Sequence, residues 1–111
     1  MIPKSVQVGP VAYEVTVVKN LGSTHHADGV TNTWHGTIDL GADQHPDHQR
    51  VSFLHEVIHA VWNCAYEAED EREKYTQEQV VRILTPTLLD VLRRNPHVVS
   101  YLMEGVSSDA S

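Results

Sequence analysis

His55-Glu56-Val57-Ile58-His59 is an H-E-x-x-H sequence. Residues four apart share one face of a helix, so two imidazoles at that spacing can point at one ion. The Glu beside the first His then flanks the open coordination position. A zinc ion lowers the pKa of a bound water toward about 7, and a neighbouring carboxylate can take the proton as that water attacks a polarised carbonyl. The same carboxylate can return the proton to a leaving amine. With His at 8 of 111 positions, chance produces this motif roughly 0.04 times in such a chain. The competing explanation is two ordinary helix histidines, and the apolar Leu54, Val57, Ile58 and Val61 around them argue against it.

Two His leave a catalytic zinc one protein ligand short. His35, His97 and the acidic residues Glu67, Glu69, Asp70, Glu71, Glu73 and Glu78 are the nominal donors. The run Glu67 to Glu73 reads as a solvated linker. Glu78 stands apart because it opens a helix whose apolar stripe must pack against the motif helix, which would bring its first turn toward His59. Its competing role is to complement the helix dipole. His25-His26 and the His45-Pro46-Asp47-His48 stretch read as solvated loop histidines, and Trp62 and Tyr66 as core aromatics at helical spacing. Nothing in the sequence places His97 or Tyr101 near a metal.

The elements that must hold this site are legible from periodicity. Val6, Val8, Val11, Tyr13, Val15 and Val17 alternate with polar or small residues around Gly9-Pro10, which predicts a β-hairpin. Asn20 to Asn32 reads as a loop, and Trp34 to Leu40 as a third strand ending at Gly41. Phe53, Leu54, Val57, Ile58, Val61 and Cys64 recur at helical spacing, so a buried helix begins near Asp47, a candidate N-cap after Pro46. Thr76-Gln77-Glu78-Gln79 has the form of a capping box. A second long helix follows, with Val80, Val81, Leu84, Leu88, Val91 and Leu92 as its stripe and Pro86 predicted to kink it. Asn95-Pro96 opens a short helix over about His97 to Glu104. The fold class is α+β: a small N-terminal antiparallel or mixed sheet, then the motif helix and a second long helix.

Composition sets the outer limits. A chain of 111 residues suits one domain spanning 1–111. The formal charge of −7 and the lack of a Lys/Arg stripe disfavour nucleic acid as a partner. No apolar run reaches membrane-spanning or signal-peptide length, so a cytoplasmic location is expected. Cys64 is the lone cysteine, which excludes an internal disulfide and a cysteine zinc cage.

The chain resembles the small phage and prophage zinc metallopeptidases of the ImmA/IrrE-like, gluzincin-type group. The likeness runs through Ile38-Asp39-Leu40, Phe53 to Ala60, Glu78-Gln79-Val80-Val81 and Leu92 to Pro96. It implies a minimal zincin-like domain with Zn²⁺ on His55, His59 and Glu78, Glu56 as general base, and a peptide or protein substrate in the host cytoplasm. Larger relatives carry DNA-binding or regulatory parts for which this chain has no room. An edge strand formed by Trp34 to Leu40 would pair with an extended peptide. The rival readings are a catalytically idle zinc-binding module that binds a host or phage protein, and an assembly protein with a vestigial motif.

Overall fold

The hairpin forms where the alternation places it. β1 (Ser5–Val8) pairs antiparallel with β2 (Val11–Val18), and the pairing of Val8 with Val11 leaves Gly9-Pro10 as a two-residue turn. Gly9 has φ +57°, the left-handed value that such tight hairpin turns ask of their first central residue. A Cβ there would also lie 2.5 Å from Cys64 Sγ. The computed structural model describes residues 1–21, 28–66 and 75–105. His25, His26, Glu67, Glu69, Asp70, Glu71 and Glu73 lie outside the described residues.

Two strand expectations are corrected. β3 (Gly29–Asn32) falls inside the stretch read as loop, and β4 (Thr37–Gly41) begins three residues later than Trp34. Between them the Gly36 amide donates to the Asn32 carbonyl at 2.9 Å, closing a turn in which Trp34 is 96% exposed. The sheet order is β1-β2-β4-β3, with β4 parallel to β2 and antiparallel to β3. The strand expected at the edge is therefore interior, and β3 is the edge strand. The sequence hides β3 because Gly and Asn are poor strand formers and four residues are too few to show a period.

Three helices follow. α1 (Pro46–Ala65) starts at Pro46 rather than Asp47: His45 is the N-cap, its Nδ1 accepting from the Asp47 amide at 3.1 Å, and Pro46 fills the first helical position, where no amide partner is needed. α2 (Gln77–Arg94) opens on the capping box, with Thr76 Oγ1 accepting from the Gln79 amide and Gln79 Oε1 accepting from the Thr76 amide. It continues through Pro86 as one element. Of its apolar stripe Val91 alone is buried; Leu84 and Leu88 pack partly against the core and Val81 is exposed. α3 is Pro96–Met103. No described helix is long and apolar enough to cross a membrane.

Val6, Val8, Tyr13, Ile38 and Leu40 of the sheet pack against Phe53, Val57, Ala60 and Val61 of α1, and Val91, Val98 and Tyr101 complete the core. The outer edge of β1 is closed by side chains. The buried Asn95 accepts from the Gln7 amide and donates to the Gln7 carbonyl, both at 2.9 Å, and also donates to the Val91 carbonyl at 2.7 Å. His97 Nε2 meets the Ser5 carbonyl at 2.8 Å. Asn95 thus ends α2 and anchors the α2–α3 corner on the sheet.

Asn95→Ala should cost about 2–3 kcal/mol, because it strips partners from buried backbone groups at two elements. Thermal unfolding should show a loss of roughly 10 °C or more. A shift under 2 °C would show that the corner is held by apolar packing alone.

Candidate functional site

α1 turns one face toward β3, and the motif divides between that face and solvent. Val57, Ala60 and Val61 face the core, Glu56 faces β3, and His55 and His59 lie on the exposed side. The expectation that the apolar surroundings would bury both His is corrected: Glu56 alone of the three is buried, at 6% exposure. His55 and His59 are nonetheless aimed at each other. Their Nε2 atoms stand 3.1 Å apart and their ring centroids 4.8 Å apart. Two nitrogens on a tetrahedral zinc at 2.0–2.1 Å are separated by about 3.3 Å, so the pair fits two ligand positions closely. At that separation the two Nε2 atoms are also within hydrogen-bond distance of each other, the tautomers deciding which one donates.

Glu56 is seated by the edge strand. Thr31 Oγ1 donates to Glu56 Oε1 at 2.7 Å and stands 3.1 Å from the Glu56 carbonyl oxygen. Gly29, two residues earlier and so on the same face of β3, leaves room for the carboxylate: a Cβ there would stand 2.9 Å from Glu56 Cγ and 3.1 Å from Oε2. The second oxygen, Oε2, lies 4.0 Å from His55 Nε2. One carboxylate oxygen is thus occupied by Thr31 and the other is turned toward the imidazole pair. A buried carboxylate needs such partners, because removing them leaves a charge without water or hydrogen bond.

A cleft of about 300 Å³ runs along this junction. α1 contributes His48, Val51, Ser52, His55 and Glu56 to one wall, and Asp28 and Gly29 form the other. At its far end His48 Nε2 is 2.8 Å from Asp28 Oδ2. The backbone there is pinned, since the Asp28 carbonyl accepts from the Gly41 amide at 2.9 Å and from Gln44 Nε2 at 3.2 Å. Ser52 Oγ donates to Gln44 Oε1 at 2.7 Å, tying α1 to the same support.

Glu78 is not gathered to the His pair. It sits exposed on the first turn of α2 with its carboxylate 3.6 Å from Arg82, and among the described residues no three His, Cys, Asp or Glu form a group able to hold a metal. Tyr75, three residues before it, is closer in: its ring packs edge-on against Trp62 and Tyr66, with centroids 5.9 and 5.5 Å away. Trp62 and Tyr66 are stacked at 4.9 Å, so this trio clasps the end of α1 to the start of α2. His97 is committed to the β1 edge, and Tyr101 lies in the core edge-on to Phe53, burial raising its hydroxyl pKa.

Sequence reasoning missed Gly29, Thr31 and the Asp28–His48 pair as parts of one cleft. His48 was recoverable in principle, because it lies two turns before His55 on the same helix face. Gly29 and Thr31 carried no signal while β3 was read as loop. Comparison with protein-family models, curated proteins and solved structures finds no match to this chain.

The Thr31 hydroxyl and the Glu56 carboxylate should be energetically coupled. In a double-mutant cycle with Thr31→Val and Glu56→Met, followed by urea unfolding, we expect a coupling energy of about 1.5–3 kcal/mol, the range for hydrogen bonds to charged groups. Additivity within 0.5 kcal/mol would show that Thr31 does not hold the carboxylate.

Proposed function

We propose that the chain is a zinc-dependent peptidase with Glu56 as its general base. The observation that carries this reading is the convergence of the His55 and His59 Nε2 atoms at 3.1 Å, with Oε2 of the buried Glu56 4.0 Å from His55 Nε2 in the wall of a cleft. His55 and His59 would hold the metal, which when bound supplies a Lewis acid that polarises a carbonyl and acidifies water. Glu56 would take a proton from water through Oε2 as the water oxygen adds to the scissile carbonyl carbon, and would return it to the amine nitrogen as the C–N bond breaks, while Thr31 keeps Oε1 engaged and fixes the carboxylate plane. β3, the edge strand, offers backbone groups to an extended peptide lying along the cleft, which aligns the substrate without side-chain recognition.

Glu78 is proposed as the third donor. Its exposed pairing with Arg82 is worth at most about 1 kcal/mol, far less than the free energy a closed zinc site releases. The Tyr75 contact with Trp62 already brings the start of α2 to the end of the motif helix. One observation favours a second reading: Glu78 stands with Arg82 and not with the His pair. Under that reading the chain binds zinc through two His and acts as an idle module that docks a host or phage protein in the cytoplasm.

Elemental analysis after zinc-supplemented purification should give about one ion per chain. Glu56→Gln should retain that ion while peptide hydrolysis is lost, because the amide fills the same space but accepts no proton. Zinc with no turnover of any peptide would favour the idle module, and no tightly bound metal would remove both readings.

Glu78→Ala tests the third donor. We expect zinc affinity to fall at least about 100-fold, since even outer-shell losses weaken metal sites 10- to 100-fold. Unchanged affinity in Glu78→Ala, with weakening in Glu67→Ala or Glu71→Ala, would transfer the role to the latter residue.

A further inference from the structure

The far end of the cleft carries a charged pair that the hydrolytic chemistry does not use. Asp28 and His48 meet at 2.8 Å at the opposite end from Glu56 and His55, and among the described residues neither Lys nor Arg lines the cleft. Asp28 supplies a carboxylate on one wall of the cleft and Glu56 a second on the other. The Asp28 backbone is fixed by Gly41 and Gln44, and His48 Nε2 occupies Oδ2, so Oδ1 is the oxygen left to meet a ligand. These features describe a subsite for a cation that can donate hydrogen bonds.

Its position sets the reach. His48 precedes His55 by seven residues, which is about 10.5 Å along a helix. An extended peptide advances about 3.3–3.4 Å per residue, so a substrate with its reacting carbonyl at His55 places a group roughly three residues away beside Asp28. Resting on the peptidase reading above, we infer that Asp28, oriented by His48, selects peptides bearing a primary ammonium about three residues from the cleaved bond. That ammonium comes either from a lysine side chain or from a free N-terminus. The charge-assisted hydrogen bond to the Asp28 carboxylate, whose backbone is pinned and whose side chain is half exposed beside His48, provides the selectivity, and an acidic residue at the same place is repelled.

The test uses alanine-based hexapeptides, acetylated and amidated, each with one Lys, norleucine or Glu scanned through the positions, together with hexaalanine amide carrying a free N-terminus. Binding to zinc-loaded Glu56→Gln protein is read by calorimetry at pH 7, where a peptide α-amino group is mostly protonated, and cleavage is read separately with the parent protein. One Lys position should bind at least 5-fold tighter than its norleucine counterpart, with Glu weakest. Asp28→Asn should bring Lys and norleucine to parity, and His48→Gln should reduce the preference while circular dichroism shows the fold intact. Tighter binding of the free-N-terminus peptide than of its acetylated form would identify the N-terminal ammonium as the source. Equal affinity for Lys, norleucine and Glu peptides, a preference that survives Asp28→Asn, or no binding of any peptide would overturn the subsite. A Lys preference in binding without cleavage by the parent protein would instead overturn the peptidase reading and leave the subsite standing.

Discussion

Glu56 is a carboxylate placed in the interior of a helix–sheet junction, and the surrounding architecture is organised around making that tolerable. Its neighbours along α1, Phe53, Val57 and Ala60, are core residues with essentially no exposure. A charge among them is sustained because β3 brings one hydroxyl to one oxygen and one glycine to the other flank. Remove the glycine and the carboxylate has no seat; remove the hydroxyl and it has no partner. β3 has just four residues, yet through Gly29 and Thr31 it decides where the chemically active group points.

The rest of the fold holds that short strand in register with α1. Among the described residues β4 is its sole strand neighbour, and β4 is itself fixed on its other side by parallel pairing with β2. At one end of β3, Gln44 ties the Asp28 and Gly41 carbonyls to Ser52 of α1. Beyond its other end, Asn63 donates to Thr33 at 2.8 Å. The edge strand and the motif helix are therefore joined near both ends of β3 as well as at Glu56. On the far side of the sheet, Asn95 and His97 do the comparable work of closing β1. One edge of the sheet is sealed by side chains and the other faces the cleft.

The helices were legible in the sequence because their signals are local: Pro46, the Thr76 capping box and the Asn95-Pro96 corner each announce an end within four residues. The hairpin was legible through Gly9-Pro10 and its flanking alternation. What periodicity does not carry is which strands become neighbours, so from sequence β4 reads as an edge and β3 as no strand at all. The same gap explains the candidate site. His55, Glu56 and His59 follow from the spacing of one helix, whereas Thr31 and Gly29 act from a distant stretch whose side chains have no chemistry of their own to advertise. The surroundings of the imidazoles were misjudged for a related reason: the apolar neighbours of His55 and His59 lie on both sides of α1, and Ile58 and Val51 are themselves exposed.

The central claim is that His55 and His59 together receive a metal beside Glu56, and imidazole nitrogen resonances report on it atom by atom. In a chain labelled with ¹⁵N-histidine and titrated with zinc, the Nε2 signals of His55 and His59 should move together to metal-bound positions and saturate at one equivalent, with His45, His48 and His97 unchanged. Movement confined to other histidines, or no change at His55 and His59 at one equivalent of zinc, would contradict the account.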